Sequence, residues 1–514
     1  MSIIEWSSKH SSIDRRKKIN LHKFLPWSWP NWLFDLAVLL SSIIIFFRRI
    51  DVFPLRNWDE AWYAEIIKNM ANGKSGYLIP FWNGRYHFDH EPLYFWLSTA
   101  FVKIFGLGEW QVRIISATSA VLATYLVFLI GRKLANLRVA ITSVLIFLTT
   151  GGVVIRFAHG NLDALLVCLF LATFYFFLKG KEKPFFNLIT GITFGLGMLV
   201  KSWGIGMFPI ALILSFSFFG GNINIKRIAS IIFIGMAVIL PWYLWGILRF
   251  DGQFVEWYIL NPSEGRLTTP FANFSFAYFP FAFFDLGFWL LVPFLAIAVQ
   301  RKHLKELSRR LILSLSFIPI IYIISLNFLS DKSAWYLIPA YSILALVLGY
   351  FAEILFKTKS RILIFIFPVV FILQYWNVLR IENIYPDRSI VGAKLGIKAR
   401  QIIPLEDEVI LEDPDFTSFL YYSNQNHIFT LQEDRKPGEW WIIKNKELDS
   451  FLKNNPKSWI ITRNRNKFSG YKLFDKLGDY YFIFARKDTV ESDSTDECGR
   501  IHTSAAPGLF CLLM

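Results

Sequence analysis

The sequence predicts a polytopic α-helical membrane protein that carries a small C-terminal α/β domain. Three observations carry that expectation. Hydrophobic residues make up 54% of the 514 and charged residues only 18%, with 52 Phe and 19 Trp, more apolar surface than a soluble fold of this length can hide. The apolar residues come in runs of about 18–22, the length that crosses a bilayer as helix. The Lys and Arg residues behind the net charge of +15 flank those runs in short clusters instead of gathering on one domain. That is the positive-inside pattern; it implies membrane lipids as neighbours and excludes nucleic acid as a partner.

The charge clusters thread the spans in order. Lys9 and Arg15, Arg16, Lys17 and Lys18 place residues 1–30 in the cytoplasm. This segment is too polar before Pro26 for a cleaved signal peptide, so the first apolar run, Asn31 to Phe47, stays as an anchor. Residues 48–110 then form an outer loop with interfacial helices, ending in Pro92-Leu93-Tyr94-Phe95-Trp96. Arg113 to Ile130 returns inward to land on Arg132, Lys133 and Arg138. Later inward landings are Lys179-Lys181-Lys183, Lys226-Arg227, the cluster from Arg301 to Arg310, and Lys357-Lys359-Arg361. A final span near Ile362 to Leu379 leads out again. The count reaches about eleven crossings over a core of residues 31–380, in a multi-pass protein of the plasma (inner) membrane.

Composition changes from Ile381 to Lys487. Strand-like runs at Glu408–Leu411, Trp440–Lys444, Trp459–Thr462 and Tyr480–Ala485 alternate with helical stretches such as Lys446–Asn454, which reads as an extracytoplasmic α/β domain over 381–487. Residues 488–514 are polar, then irregular, and read as a disordered tail. Three Cys, one of them (Cys168) inside an apolar run, imply no disulfide framework. The last four residues, Cys511-Leu512-Leu513-Met514, fit a prenylation box that would add little to a chain already held by many spans.

The threading gathers charged residues on the outer face. Asp59 and Glu60 follow the first span, and Asp89-His90-Glu91-Pro92 closes the same loop. Asp163 opens the next inward span, Lys201 lies at a third outer turn, Arg266 in a fourth and Lys332 in a fifth. Charge at the membrane edge is costly and needs a partner or a function. Ion pairing between helices, or plain solvation, would account for any single one; contributions from all five loops favour a shared site. A carboxylate among several cations suits transfer of a sugar from a lipid phosphate. The phosphate is a good leaving group, so no general acid is needed. Lys201, Arg266 and Lys332 can hold it, and Asp59 can take the proton of an attacking hydroxyl. Trp58, Trp62, Tyr63, Tyr94 and Trp96 can stack on sugar or lipid, or form an interfacial belt.

The runs Asp59-Glu60-Ala61-Trp62-Tyr63-Ala64-Glu65-Ile66, Ile79-Pro80-Phe81-Trp82-Asn83-Gly84 and Pro92-Leu93-Tyr94-Phe95-Trp96-Leu97 resemble the first outer loop of the dolichyl-phosphate-mannose protein mannosyltransferase superfamily. The likeness is nearer to its bacterial branch, which includes the lipid A aminoarabinose transferases. Leu199-Val200-Lys201, Pro241-Trp242-Tyr243, Gly265-Arg266 and Asp331-Lys332-Ser333-Ala334-Trp335-Tyr336-Leu337-Ile338-Pro339 are similar to later signatures in the same order. The resemblance covers roughly residues 30–360 and implies a GT-C fold, a polyprenyl-phosphate-linked sugar donor and inverting transfer. It implies a catalytic Asp at Asp59, an acidic partner at Asp163 and a donor-phosphate Lys at Lys332. Glu60 is a further catalytic candidate; Asp89, Glu91 and Tyr336 join Trp62, Tyr63 and Tyr94 as substrate contacts.

Two departures stand out. His90 occupies the place of a phosphate-contacting Lys, and Asn261-Pro262-Ser263-Glu264 replaces a Glu-His pair before Gly265-Arg266. No cofactor is expected. A divalent cation near His87, Asp89 and His90 has ligand types in its favour but no spaced partner from another loop. The acceptor can be a lipid, a glycan or a protein. Two other readings are a transporter or flippase for lipid-linked glycans and a non-catalytic glycolipid binder. The threading makes a direct prediction. Single Cys probes at Asp163, Lys201 and Lys332 should react with a membrane-impermeant reagent from outside, whereas probes at Lys181, Lys226 and Arg301 should not. Labelling of both sets from one side would overturn it.

Overall fold

The computed structural model describes residues 30–484, apart from breaks of which the longest are 257–273, 301–305, 357–367 and 379–388. The expectations for the N-terminal segment and the tail, the first third of the last span and Arg266 therefore lie outside the described residues. Helix α1 is Asn31–Phe47, the bounds read from sequence. Helix α2 (Asp59–Ala71), a two-stranded hairpin (β1 Phe81–Trp82, β2 Arg85–Tyr86) and α3 (Leu93–Phe105) build the loop between α1 and α4 (Glu109–Leu134). Next come α5 (Leu137–Phe147), α6 (Gly151–Phe157), α7 (Asp163–Lys179), α8 (Phe185–Met198), α9 (Phe208–Phe219) and α10 (Ile225–Phe254). After the break at 257–273 follow α11 (Tyr278–Leu286), α12 (Leu291–Gln300), α13 (Glu306–Leu326) and α14 (Ile338–Phe356).

Among the described residues five helices are long and apolar enough to cross a membrane, and α5 with α6 makes a sixth if that pair, bent by 68°, is one span. Shorter apolar helices, including α1, α8 and α9, accompany them. The protein is thus a helical multi-pass membrane protein. Burial sorts the spans. In an 18-residue window of Ala334–Phe356, 94% of the residues are buried, against 22% in one of Tyr278–Ala298, so α14 runs through the centre of the helical unit and α11–α12 lie at its edge. Local sequence explains the sharp starts. Asn136 accepts hydrogen bonds from the backbone N–H groups of Arg138 and Val139 at the head of α5, and Asn224 does so for Arg227 at the head of α10, each pairing donors that a helix start otherwise leaves open.

Close helix contact is carried by small residues. Gly191 and Gly195 on α8 face Gly235 on α10. A Cβ at Gly195 would stand 2.6 Å from the Gly235 carbonyl oxygen and 2.6 Å from Val238 Cβ, and one at Gly191 would stand 2.6 Å from Ile234 Cβ. Without a water-driven force between spans, such contact depends on backbones approaching closely.

The chain forms two compact units: Met1–Leu405 with Pro414–Asn426, and Glu406–Asp413 with His427–Met514. The division differs from the contiguous domain expected over 381–487. Helix α15 (Ser389–Ile402) and helix α16 (Phe416–Ser423) belong to the helical unit. Helix α16 buries seven of its eight residues, which is why it sides with the helices although its neighbours in sequence are strands. The second unit is a six-stranded sheet of order β5-β4-β3-β6-β8-β7. Its strands are β3 (Val409–Leu411), β4 (Ile428–Gln432), β5 (Ile442–Lys444), β6 (Trp459–Thr462), β7 (Lys472–Leu477) and β8 (Tyr480–Phe484). The β5-β4-β3-β6 run is parallel, and β8 and β7 add antiparallel. Helix α17 (Leu448–Asn454) contributes Leu448 and Leu452 to a core with Ile410, Ile443, Ile460, Phe468 and Ile483. Strands β4 and β7 escaped the sequence reading; β7 is an edge strand with charged, mostly exposed residues, a sequence signal close to that of a loop.

The α8–α10 contact yields a prediction. Gly195→Val should push the two helices apart and lower the melting temperature of the purified protein by several degrees. Gly252→Ala, where a Cβ meets nothing within 4 Å, should leave it unchanged. Equal behaviour of the two variants in a thermal scan would refute the close-packing account.

Candidate active site

Four charged residues from four separate stretches of the chain meet in one line of contacts. Asp59 opens α2 and Asp163 opens α7; a carboxylate is favoured in a first helical turn by the N-terminal end of the helix dipole. Lys201 follows the C-terminus of α8, the end that favours a cation. Arg156 lies in the last turn of α6. Its Nη2 donates to Asp59 Oδ2 and its Nε donates to Asp163 Oδ2 at 2.7 Å. Lys201 Nζ donates to Asp163 Oδ1 at 3.0 Å. Two aromatic faces back the cations: the Trp335 ring centroid lies 4.6 Å from the Arg156 guanidinium, and the Tyr336 centroid 5.4 Å from Lys201 Nζ. Lysine and arginine over such faces gain cation–π attraction.

Arg156 was not singled out in the sequence, although its signal was there. It is a lone charge in Gly151-Gly152-Val153-Val154-Ile155-Arg156-Phe157, and a charge in an apolar run needs a partner or a task. The bend between α5 and α6 aims it. That bend is tied down by polar side chains: Asp285 meets the Gly152 backbone N–H and accepts from Tyr341 Oη at 2.8 Å, while Trp289 Nε1 donates to Thr149 Oγ1 at 2.8 Å.

Glu60, next to Asp59, sits in a different environment. Its oxygens accept from Arg113 Nε (2.7 Å), Arg56 N (2.7 Å) and Gly160 N (2.7 Å). Burial pushes its carboxyl up, but the Arg113 charge and these hydrogen bonds outweigh that and hold it down at about 2. Arg113 also donates to the carbonyls of Ile50, Phe53 and Pro54, so the Glu60–Arg113 pair closes the head of the loop.

Several other residues predicted from sequence fall into an aromatic nest. Tyr63 Oη lies 3.1 Å from His90 Nε2, and His90 lies 3.2 Å from Asp89 Oδ2. Trp62 stacks on Trp82 with centroids 4.5 Å apart, and the Trp62 centroid is 5.3 Å from that of His87. Burial pushes the His87 imidazole down to about 4, so it is neutral at physiological pH. Among the described residues no group of three or more His, Cys, Asp or Glu is placed to hold a metal ion. Tyr94 is fully buried, its hydroxyl directed to the Val112 carbonyl at 3.4 Å, where it packs the loop. Lys332 Nζ donates to the carbonyls of Asn327 (2.8 Å) and Leu329 within its own turn, and its described hydrogen bonds do not join it to Asp59 or Asp163.

Glu91 is wholly buried and accepts from Tyr243 Oη at 3.0 Å. Burial raises its carboxyl to about 8, so it is protonated at neutral pH. A carboxyl whose folded value lies above its unfolded one favours the fold below the unfolded pKa, and loses that contribution as pH rises through the folded value. Relative to Glu91→Gln, which cannot ionise, the wild type should therefore lose stability between about pH 4.5 and pH 8. Parallel melting-temperature profiles for the two proteins over that window would contradict a buried, neutral Glu91.

The chain is similar to several known proteins. Residues 89–245 match the family model described as dolichyl-phosphate-mannose-protein mannosyltransferase. An uncharacterized protein of Aquifex aeolicus is 24% identical over 353 residues, 65% of this chain and 67% of its own. The undecaprenyl phosphate-alpha-4-amino-4-deoxy-L-arabinose arabinosyl transferase of Pseudomonas savastanoi is 26% identical over 219 residues, so that the match spans 41% of each chain. Among solved structures, ArnT from Cupriavidus metallidurans bound to undecaprenyl phosphate superposes with a TM-score of 0.72 over 91% of this chain and all of its own, at 14% identity. The Archaeoglobus fulgidus oligosaccharyltransferase gives 0.58 over 85% and 70%, at 13% identity. Motif order, the partial family match and the fold converge on one likeness: the chain is similar to the bacterial aminoarabinose transferases and shares the fold of ArnT.

Proposed function

We propose that the protein transfers a sugar from a polyprenyl-phosphate donor to an acceptor hydroxyl or phosphate on a lipid, glycan or protein, with inversion, on the outer face of the plasma membrane. The observation that carries this reading is the run Asp59–Arg156–Asp163–Lys201, two carboxylates and two cations drawn from three helices and the turn after a fourth. The N-terminus is then cytoplasmic, and the loop between α1 and α4 and the sheet unit are extracytoplasmic.

In this mechanism the acceptor oxygen attacks the anomeric carbon as the bond from that carbon to the phosphate oxygen breaks. The electron pair leaves with the phosphate, and Arg156 and Lys201 stabilise the charge that develops on it. Arg266, Lys332 and His90 are further donor-phosphate contacts in this reading. Arg156 engages Asp59 Oδ2, which leaves Oδ1 to take the proton of an acceptor hydroxyl; with an already ionised acceptor no base is needed. Asp163 holds Arg156 and Lys201 in register through its two oxygens. Glu60, with its oxygens engaged by Arg113 and two backbone N–H groups, holds the loop and takes no proton. Tyr63, Trp62, Asp89, Glu91 and Tyr336 form or support the wall on which sugar or lipid rests.

The test is release of free polyprenyl phosphate by detergent-purified protein given a polyprenyl-phosphate sugar, which should occur only when acceptor is present. Asp59→Asn should lower turnover by about 10²–10⁴-fold with insertion intact. Arg156→Lys, which keeps a charge but loses the planar fork that spans both carboxylates, should cost at least about ten-fold. Donor translocation across vesicles without sugar release would favour a flippase. Turnover of Asp59→Asn within a few-fold of wild type would remove Asp59 from the mechanism.

A further inference from the structure

Trp58, the residue before Asp59, has φ 66° and ψ −125°. A non-glycine residue held there is strained and persists only where its surroundings over-determine it. Its conformation also sets the direction in which the chain enters α2, and hence where Asp59 stands. What holds it comes from far along the sequence. Thr417 Oγ1 accepts from Trp58 N at 2.5 Å and donates to Asn57 Oδ1 at 2.8 Å, with the Trp58 carbonyl 3.3 Å away. Asn57 Oδ1 accepts in addition from the backbone N–H groups of Thr417 (3.0 Å) and Ser418 (3.1 Å). These are the second and third residues of α16, so Asn57 caps that helix as a residue of the preceding turn otherwise would.

The rest of α16 secures the grip. Tyr422 Oη accepts from Leu55 N at 2.9 Å and donates to Glu109 Oε1 at 2.8 Å. Lys68 on α2 donates to the Tyr421 carbonyl at 3.1 Å, and the Phe416 ring packs edge-on to Trp82 at 6.0 Å. The loop and α16 thus brace each other on both sides of Trp58, within one compact unit.

We propose that α16 is a clamp that positions Asp59, and that Thr417 is the positioning residue, acting through the backbone of Trp58. The inference rests on Asp59 being the base proposed above. It gives residues 414–426 a part in turnover although they lie beyond the last span and between two strands of the sheet unit.

The experiment uses full-length protein in detergent, with Thr417→Val, Thr417→Ser, Trp58→Gly and the Trp58→Gly/Thr417→Val double variant. Displacing a reacting group by about 1 Å can cost 10²-fold, so Thr417→Val should lower kcat by about ten-fold or more, with donor KM changed less than about two-fold. Thr417→Ser, which keeps the hydroxyl, should restore kcat. Glycine adopts the Trp58 conformation without strain, so the loss caused by Thr417→Val should shrink when Trp58 is already glycine. Hydrogen exchange in peptides covering residues 55–62 provides a readout independent of activity: it should rise in Thr417→Val and not in Thr417→Ser. Unchanged exchange in Thr417→Val, or raised exchange with unchanged kcat, overturns the clamp. A wild type that transfers no sugar yet shows the exchange pattern overturns the proposed function and with it the positioning of a catalytic base, leaving only the structural brace.

Discussion

Arg156 is the residue on which the arrangement of the site depends. One guanidinium reaches Asp59 at the head of α2 and Asp163 at the head of α7, and Asp163 in turn reaches Lys201 beyond α8. A planar fork with several donors can serve two carboxylates at once, which a lysine ammonium does less well. All four groups are at least partly buried, and removal of one partner from a buried pair leaves the other charge uncompensated, at a cost of about 3–5 kcal/mol. The same contacts that make the site chemically capable therefore also fix the relative placement of α2, α6, α7 and the end of α8.

Around that centre the loop between α1 and α4 is organised by a second charged contact with a different character. Glu60 and Arg113 satisfy one another and draw in backbone groups at Ile50, Phe53, Pro54, Arg56 and Gly160. Neighbouring acidic residues thus have different environments. Asp59 faces a cation shared with a second carboxylate, whereas Glu60 is enclosed and saturated. The helix geometry accounts for the split, because successive residues point about 100° apart around the axis.

Much of the helical architecture was legible in the sequence because the bilayer imposes it. An apolar run of the right length has few alternatives to a helix, since unpaired backbone groups cannot be left in lipid; the first helix was found with its observed bounds, Asn31–Phe47. The parallel strands at Val409–Leu411, Ile442–Lys444 and Trp459–Thr462 were legible as buried apolar runs. Asp59, Asp163 and Lys201 were recognisable as costly charges at span ends, and the structure brings these three together. Arg266 lies outside the described residues, and Lys332 bonds to its own turn.

What the sequence by itself determined is the helical membrane class of the protein, the bounds of its first helix and the residue types available to the site, because hydropathy, charge bias and motif order are local properties. Only the tertiary structure decided how those residues are partnered. It added Arg156 to the centre through the bend after Phe147, withdrew Glu60 into its pair with Arg113, neutralised Glu91 by burial, and brought Thr417 to Trp58 from 359 residues away. The physical reason is that ion pairing, desolvation and backbone strain are set by distances between segments remote in the chain. No local pattern of side chains records those distances.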